Sequence, residues 1–202
     1  MIKNIIFDFG DIFIDLDKSA PVNEFLKLGL QTLTKETNAI DQALEVGDIS
    51  IENFVQQYQA LLPNASEIEI LNAWNSILKE FPIERLEFLQ KLQKEDKYRL
   101  FLLSNTNDIH INFIKNKVEF YEIFKNCFEQ FYLSQEIGMR KPNADIFEFV
   151  LEMNKLNPEE TLFIDDTKPN TDTAEKLGIK TWNLSPGVED IRDLFTIKAE
   201  LF

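Results

Sequence analysis

Residues 5–15 read IIFDFGDIFID, a β-branched and aromatic run from Ile5 to Phe9 that is broken by Asp8 and ended by Gly10. Such a run predicts a short buried strand that delivers a polar residue at its C-terminal end. A carboxylate inside an apolar strand has a high desolvation cost unless it is paired, metal-bound or reactive, which makes Asp8 the first candidate for chemistry. Gly10 would let the backbone approach a ligand closely, an arrangement suited to attack on phosphorus. The plainer alternative is a strand-end Asp that caps the following turn.

Working outward, two further apolar runs stop at polar clusters. Tyr98 to Leu103 stops at Ser104-Asn105-Thr106-Asn107, and Thr161 to Ile164 stops at Asp165-Asp166; a weaker run covers Lys180 to Leu184. Helical spacing separates them, with Ile83, Leu86, Leu89 and Leu92 at three-residue steps and Ile146, Phe149, Val150 and Met153 on one face. Alternating strand and helix predicts an α/β fold with a parallel sheet, whose ligands sit outside the carboxyl ends of the strands. The stretch from Lys18 to Phe81 has no strand-like run. Pro21, Ser50 and the Ser66/Glu69 capping box start helices there, so it reads as a helical insertion after the first strand.

Composition limits the possible functions. The chain has 202 residues, 44% of them hydrophobic and 18 of them Phe, enough apolar surface for a packed core. Asp and Glu outnumber Lys and Arg 35 to 21, a net charge of −14, so the surface repels phosphate backbones and nucleic-acid binding is not expected. An anionic substrate would need locally concentrated positive charge or a bound metal ion. Cys127 is the single cysteine, which excludes an intrachain disulfide and a thiolate metal cage and makes a reducing cytoplasm the expected location. No membrane span or signal peptide is expected either.

Each polar cluster has a chemical reading. Asp165 and Asp166 are adjacent carboxylates that repel each other, and an oxygen-only donor set beside them suggests Mg²⁺; the alternative is a solvated acidic turn. Ser104, Asn105 and Thr106 precede a helix and could cradle phosphate with hydroxyls and free N–H groups, or simply cap it. Lys141, in the loop Gly138 to Asn143, could reach an anion as a flexible point charge. His110, the single histidine, could face a pocket, in a catalytic or substrate-binding role, or solvent. Trp74, Trp182 and Cys127 read as packing residues.

The order of these signals resembles the haloacid dehalogenase superfamily. IIFDFGDIFID is similar to its first motif, LLSNT (102–106) to its second, GMRKP (138–142) to its third and LFIDDTKPN (162–170) to its fourth. The resemblance is greatest to small bacterial sugar-phosphate phosphatases of the alpha-D-glucose-1-phosphate phosphatase type, which share the glycine two residues after the nucleophile. It implies a Rossmann-like core, residues 1–17 and 84–202, with a helical cap at 18–83. It also implies Asp8 as nucleophile and Mg²⁺ ligand, with the Gly10 carbonyl and Asp166 as further ligands and Asp165 holding metal-bound water. Ser104, the Asn105 backbone and Lys141 would bind the transferred phosphoryl group.

The implied activity is hydrolysis of a small phosphorylated metabolite through an aspartyl phosphate. Most phosphatases of the superfamily carry a second Asp where this chain has Gly10, so the leaving-group proton would come from His110, a cap residue or solvent. General acid–base help is worth about 10²–10⁴ in rate, and its loss should be felt most with poor leaving groups. Asp11, one residue further, would be aimed away from Asp8 by strand alternation. The alternatives are a metal-independent 2-haloacid dehalogenase, disfavoured by the acidic pair, and a catalytically weak phosphate-binding protein.

Overall fold

The computed structural model describes residues 1–202. Five strands form one parallel sheet: β1 (Asn4–Phe7), β2 (Arg99–Ser104), β3 (Gln130–Leu133), β4 (Thr161–Asp165) and β5 (Lys180–Asn183). Their spatial order is β3-β2-β1-β4-β5, with β1 in the centre. The chain winds outward from β1 to β3 and then crosses back to β4, so the sheet's switch point lies beside β1.

Both faces of the sheet's centre are buried, which explains why β1, β2 and β4 carry nearly continuous apolar runs with no alternation of polar and apolar residues. Ile5, Phe7, Leu100, Leu102, Leu162 and Ile164 point into one cluster, together with Leu86, Leu89 and Leu92 of α5 (Ile83–Glu95). Ile6, Phe101, Leu103 and Phe163 point into the other, with Ile146, Phe147 and Val150 of α9 (Ala144–Asn154). Two residues expected on the buried helix faces are exposed, Ile83 as the first residue of α5 and Met153 as the penultimate residue of α9. The first cluster absorbs much of the phenylalanine, with Phe9, Phe13, Phe124 and Phe128 in mutual ring contact. The strand β3 gave little sequence signal, since on the sheet edge its four residues run from exposed Gln130 through half-buried Phe131 and Tyr132 to buried Leu133.

Four helices intervene between β1 and α5: α1 (Ala20–Lys27), α2 (Lys35–Glu45), α3 (Ile51–Leu61) and α4 (Glu67–Asn75). Their starts follow the capping chemistry. Pro21 lies in the first turn of α1, Ser50 accepts from Asn53 N–H, and Ser66 with Glu69 forms a complete capping box. These helices bury an apolar cluster of their own around Phe25, Phe54, Tyr58, Ile70 and Trp74, into which α6 (Asp108–Lys117) inserts Ile109. The insertion hangs on a short antiparallel stem absent from the sequence expectation. Asp15 N–H donates to Glu80 O, Lys79 N–H returns to Asp15 O, and Leu16 bridges Leu78. Arg85 of α5 fastens the stem through Asp15 Oδ1 at 2.7 Å.

Three short helices complete the core's connections: α7 (Tyr121–Lys125), α8 (Ser134–Ile137) and α10 (Lys168–Lys176), with α11 (Leu194–Ile197) near the C-terminus. No helix is long and apolar enough to cross a membrane.

Candidate active site

At the carboxyl ends of the three central strands, one buried ammonium group draws the chain together. Lys141 Nζ donates to Asp8 Oδ1 at 2.8 Å, just past β1, to Leu103 O at 2.8 Å on β2, and to Asp165 Oδ2 at 2.7 Å at the end of β4. Lys141 is 1% exposed, so it is no flexible solvated point charge as its loop position suggested. Its backbone is fixed too, because the Asn105 side chain accepts from Lys141 N–H at 2.9 Å and donates to Lys141 O at 2.8 Å. Burial would lower the Lys141 pKa, but the carboxylates of Asp165 and Asp8 outweigh it and hold the group above its ordinary value.

Asp8 continues the β1–β4 ladder by one bond, from its N–H to Ile164 O at 2.9 Å, which aims the side chain out of the sheet end. Burial raises its pKa against the opposing pull of Lys141. Asp165 is wholly buried and saturated. Besides Lys141 it accepts from Thr167 N–H at 2.7 Å and from Asn170 Nδ2 at 2.9 and 3.1 Å. Asp166 is half-buried, with its pKa raised by burial and pulled back by Lys18, whose ammonium bonds Asp166 Oδ2 and lies 3.0 Å from Asp11 Oδ2.

Carboxylate oxygens of Asp8, Asp165 and Asp166 all lie within 4.8 Å of one another. Four carboxylates, Asp8, Asp11, Asp165 and Asp166, therefore share two ammonium groups, Lys18 and Lys141. The fully ionised cluster carries two uncompensated negative charges. A hard divalent cation with oxygen ligands satisfies that balance, and the donor set fits it.

The other expected residues have definite places. Ser104 ends β2, buried beside Leu103. Gly10 lies in a tight turn where a Cβ would come within 2.6 Å of Leu16 Cδ1, so a side chain there requires Leu16 to shift. Strand alternation does not set the direction of Asp11. The strand has already ended, and Asp11 takes a left-handed conformation, φ 56°, that turns its carboxylate onto Leu16 N–H at 3.0 Å and onto Lys18.

His110 is engaged at both ring nitrogens. Nδ1 meets Asn107 Nδ2 at 3.2 Å, Nε2 meets Trp74 O at 3.2 Å, and the ring stacks on Trp74 with centroids 5.2 Å apart. Burial lowers its pKa to about 4, so it is neutral near pH 7. This arrangement corrects the expectation of a proton donor: His110 joins the insertion to α6 and has no ring nitrogen free for a leaving group. Asn107, whose Oδ1 caps α6 through His110 N–H at 3.0 Å, takes the capping role that Ser104 to Thr106 could have filled. Cys127 is buried, and burial raises its thiol pKa.

The sequence from residue 5 to residue 184 matches the family model of haloacid dehalogenase-like hydrolases. The chain belongs to the haloacid dehalogenase-like hydrolases. D-ribitol-5-phosphate phosphatase of Bacteroides thetaiotaomicron is 32% identical to it over 206 residues, 98% of each chain. A crystal structure of an enzyme of this family from the same organism, in complex with magnesium and inorganic phosphate, is similar with a TM-score of 0.86 and 36% identity, covering 96% of this chain and 100% of that one. A HAD-like family hydrolase from Porphyromonas gingivalis gives a TM-score of 0.86 at 30% identity, covering 100% and 98%.

Within this haloacid dehalogenase-like hydrolase, three polar contributors at the sheet ends escaped the sequence reading. Asn170 carries a signal in hindsight, as the last residue of the fourth motif and one turn beyond Asp165. Lys18 and the Asn105 side chain carry none, because an exposed-looking lysine at the stem and an amide meeting a loop 36 residues away are brought in by tertiary folding alone.

Proposed function

We propose that this protein is a Mg²⁺-dependent phosphatase acting on small phosphorylated metabolites, sugar or polyol phosphates, through an aspartyl phosphate on Asp8. The observation that carries it is the convergence of Asp8, Asp165, Asp166 and Lys141 at the sheet ends, with a charge balance that calls for a divalent cation. The resemblance to D-ribitol-5-phosphate phosphatase supports a polyol or sugar phosphate as substrate, with residues 18–83 as the cap over the site.

Asp8, Asp166 and the Gly10 carbonyl would hold the ion, with Asp165 supporting its water. Bound there, Mg²⁺ would supply electrostatic stabilisation of the transferring phosphoryl group. Lys141 favours the ionised form of Asp8 against the effect of burial and aims the side chain by binding Oδ1, which leaves the other oxygen for in-line attack on phosphorus. As the Asp8–phosphorus bond forms, the bond to the leaving oxygen breaks. The charge of Lys141, with Ser104 and the Asn105 backbone, would offset the charge spread over the equatorial oxygens. With Gly10 in the first motif and His110 engaged at both nitrogens, the proton for the leaving oxygen is left to a cap residue or to solvent. Water then opens the aspartyl phosphate, releasing inorganic phosphate and restoring the carboxylate.

Metal-independent dehalogenation of a haloacid is a poorer fit. An anionic haloacid would meet a cluster in which four carboxylates outnumber two ammonium groups, whereas a metal ion beside them would offset that charge. The deciding assay is phosphate release from ribitol 5-phosphate, hexose phosphates and an aryl phosphate, with and without EDTA. Turnover should require Mg²⁺ and vanish in Asp8→Asn. Chloride release from a 2-haloacid without metal, and no phosphate release, would reverse the assignment.

A further inference from the structure

Arg140, the neighbour of Lys141, is tied to the insertion. Its Nε and Nη2 donate to Glu45 Oε2 at 3.1 and 2.8 Å, and the two side chains are only 27% and 24% exposed. Glu45 is the last residue of α2. Two positions later Gly47 has φ 74°, and a Cβ there would lie 2.4 Å from Gln135 O in α8. The insertion's backbone therefore sits directly on α8, at the start of the segment that leads to Lys141. The placement gives that segment two anchors. From the core, Asn105 clamps Lys141 N–H and C=O; from the insertion, Glu45 holds Arg140. Lys141 also contributes to the charge that Glu45 senses, after burial and Arg140.

We propose that Glu45 is a positioning residue: through Arg140 it sets Lys141 on Asp8 and on the transferred phosphoryl group, so that Lys141 is correctly placed only when the insertion is docked on the core. The inference rests on the phosphatase function above. It makes docking of the cap, and any substrate contact that favours docking, act on the chemical step, because displacement of a charged group by about 1 Å can cost up to about a hundredfold in rate. A solvated ion pair that holds nothing in place would contribute little to stability and would leave kcat unchanged.

The test compares wild type with Glu45→Gln and Arg140→Met, and with Arg99→Met as control. Arg99 forms an exposed ion pair with Glu129 at the amino end of β2, remote from the sheet's carboxyl ends. Two readouts are taken: kcat and KM on an aryl phosphate with Mg²⁺, and hydrogen exchange of the Lys141 amide in the substrate-free protein. We expect kcat to fall about tenfold or more in both variants with KM within about twofold. The Lys141 amide should exchange faster in both, while the control matches wild type in both readouts. Unchanged kcat, or a fall in kcat with unchanged exchange, would overturn the inference. If wild type itself releases no phosphate, the phosphatase function is what fails, and the exchange comparison still decides whether Glu45 holds the segment.

Discussion

Lys141 illustrates how much one side chain can organise. It satisfies two carboxylates and a carbonyl from three strands, and its removal would leave Asp8 and Asp165 buried without their cation. Breaking a buried pair from one side typically costs about 3–5 kcal/mol. Lys141→Met should therefore lower the unfolding free energy by about 3 kcal/mol in urea titrations without Mg²⁺, besides abolishing turnover; a loss below 1 kcal/mol would mean that the carboxylates find other partners. Gly10 makes a second prediction at this scale. Without an acid to protonate the leaving oxygen, kcat should depend steeply on leaving-group pKa, with aryl phosphates turned over faster than alkyl phosphates under saturation. A flat dependence across the series would reveal an acid that the geometry does not show. Asp8, Asp165 and Asp166 were legible as single residues because carboxylates at the ends of apolar strands are anomalous. Asn105's clamp and Lys18's bridge were not, since nothing local to either residue names its partner.

Between elements, the seam of α4 and α6 is held by the Trp74–His110–Asn107 group. In the unfolded chain a histidine takes up its proton near pH 6.5, whereas His110 in the fold resists it until about 4. Between those values the unfolded state binds more protons, so stability is complete above about pH 6.5 and falls as the pH is lowered, by at most about 1.4 kcal/mol per pH unit. Urea unfolding at pH 7 and pH 4.5 should show a larger loss in wild type than in His110→Gln; equal losses would mean that the ring is hydrated. Helix starts were readable because Ser50, Ser66 and Pro21 act on the N–H groups of their own first turn. The stem at residues 15–17 and 77–80 was not readable, since its pairing is between segments 60 residues apart and its few bonds impose no pattern on either.

For the whole molecule, the net charge of −14 opposes the approach of a phosphorylated substrate. Raising ionic strength from 10 to 150 mM shortens the Debye length from about 30 to about 8 Å and should increase kcat/KM at fixed free Mg²⁺. A steady decrease would show that a local positive field at the site dominates the approach.

What the sequence determined by itself was the α/β class, the helical insertion after β1 and the acidic identity of the site. These follow from properties written along the chain: runs long enough to bury, caps within one turn, and carboxylates where apolar residues belong. The tertiary structure alone decided that Lys141 is a buried three-way link, that His110 is a neutral seam residue, and that Arg140 is held by Glu45. Each depends on the distance between groups separated by dozens of residues, and on the loss of water around them, which no local pattern encodes.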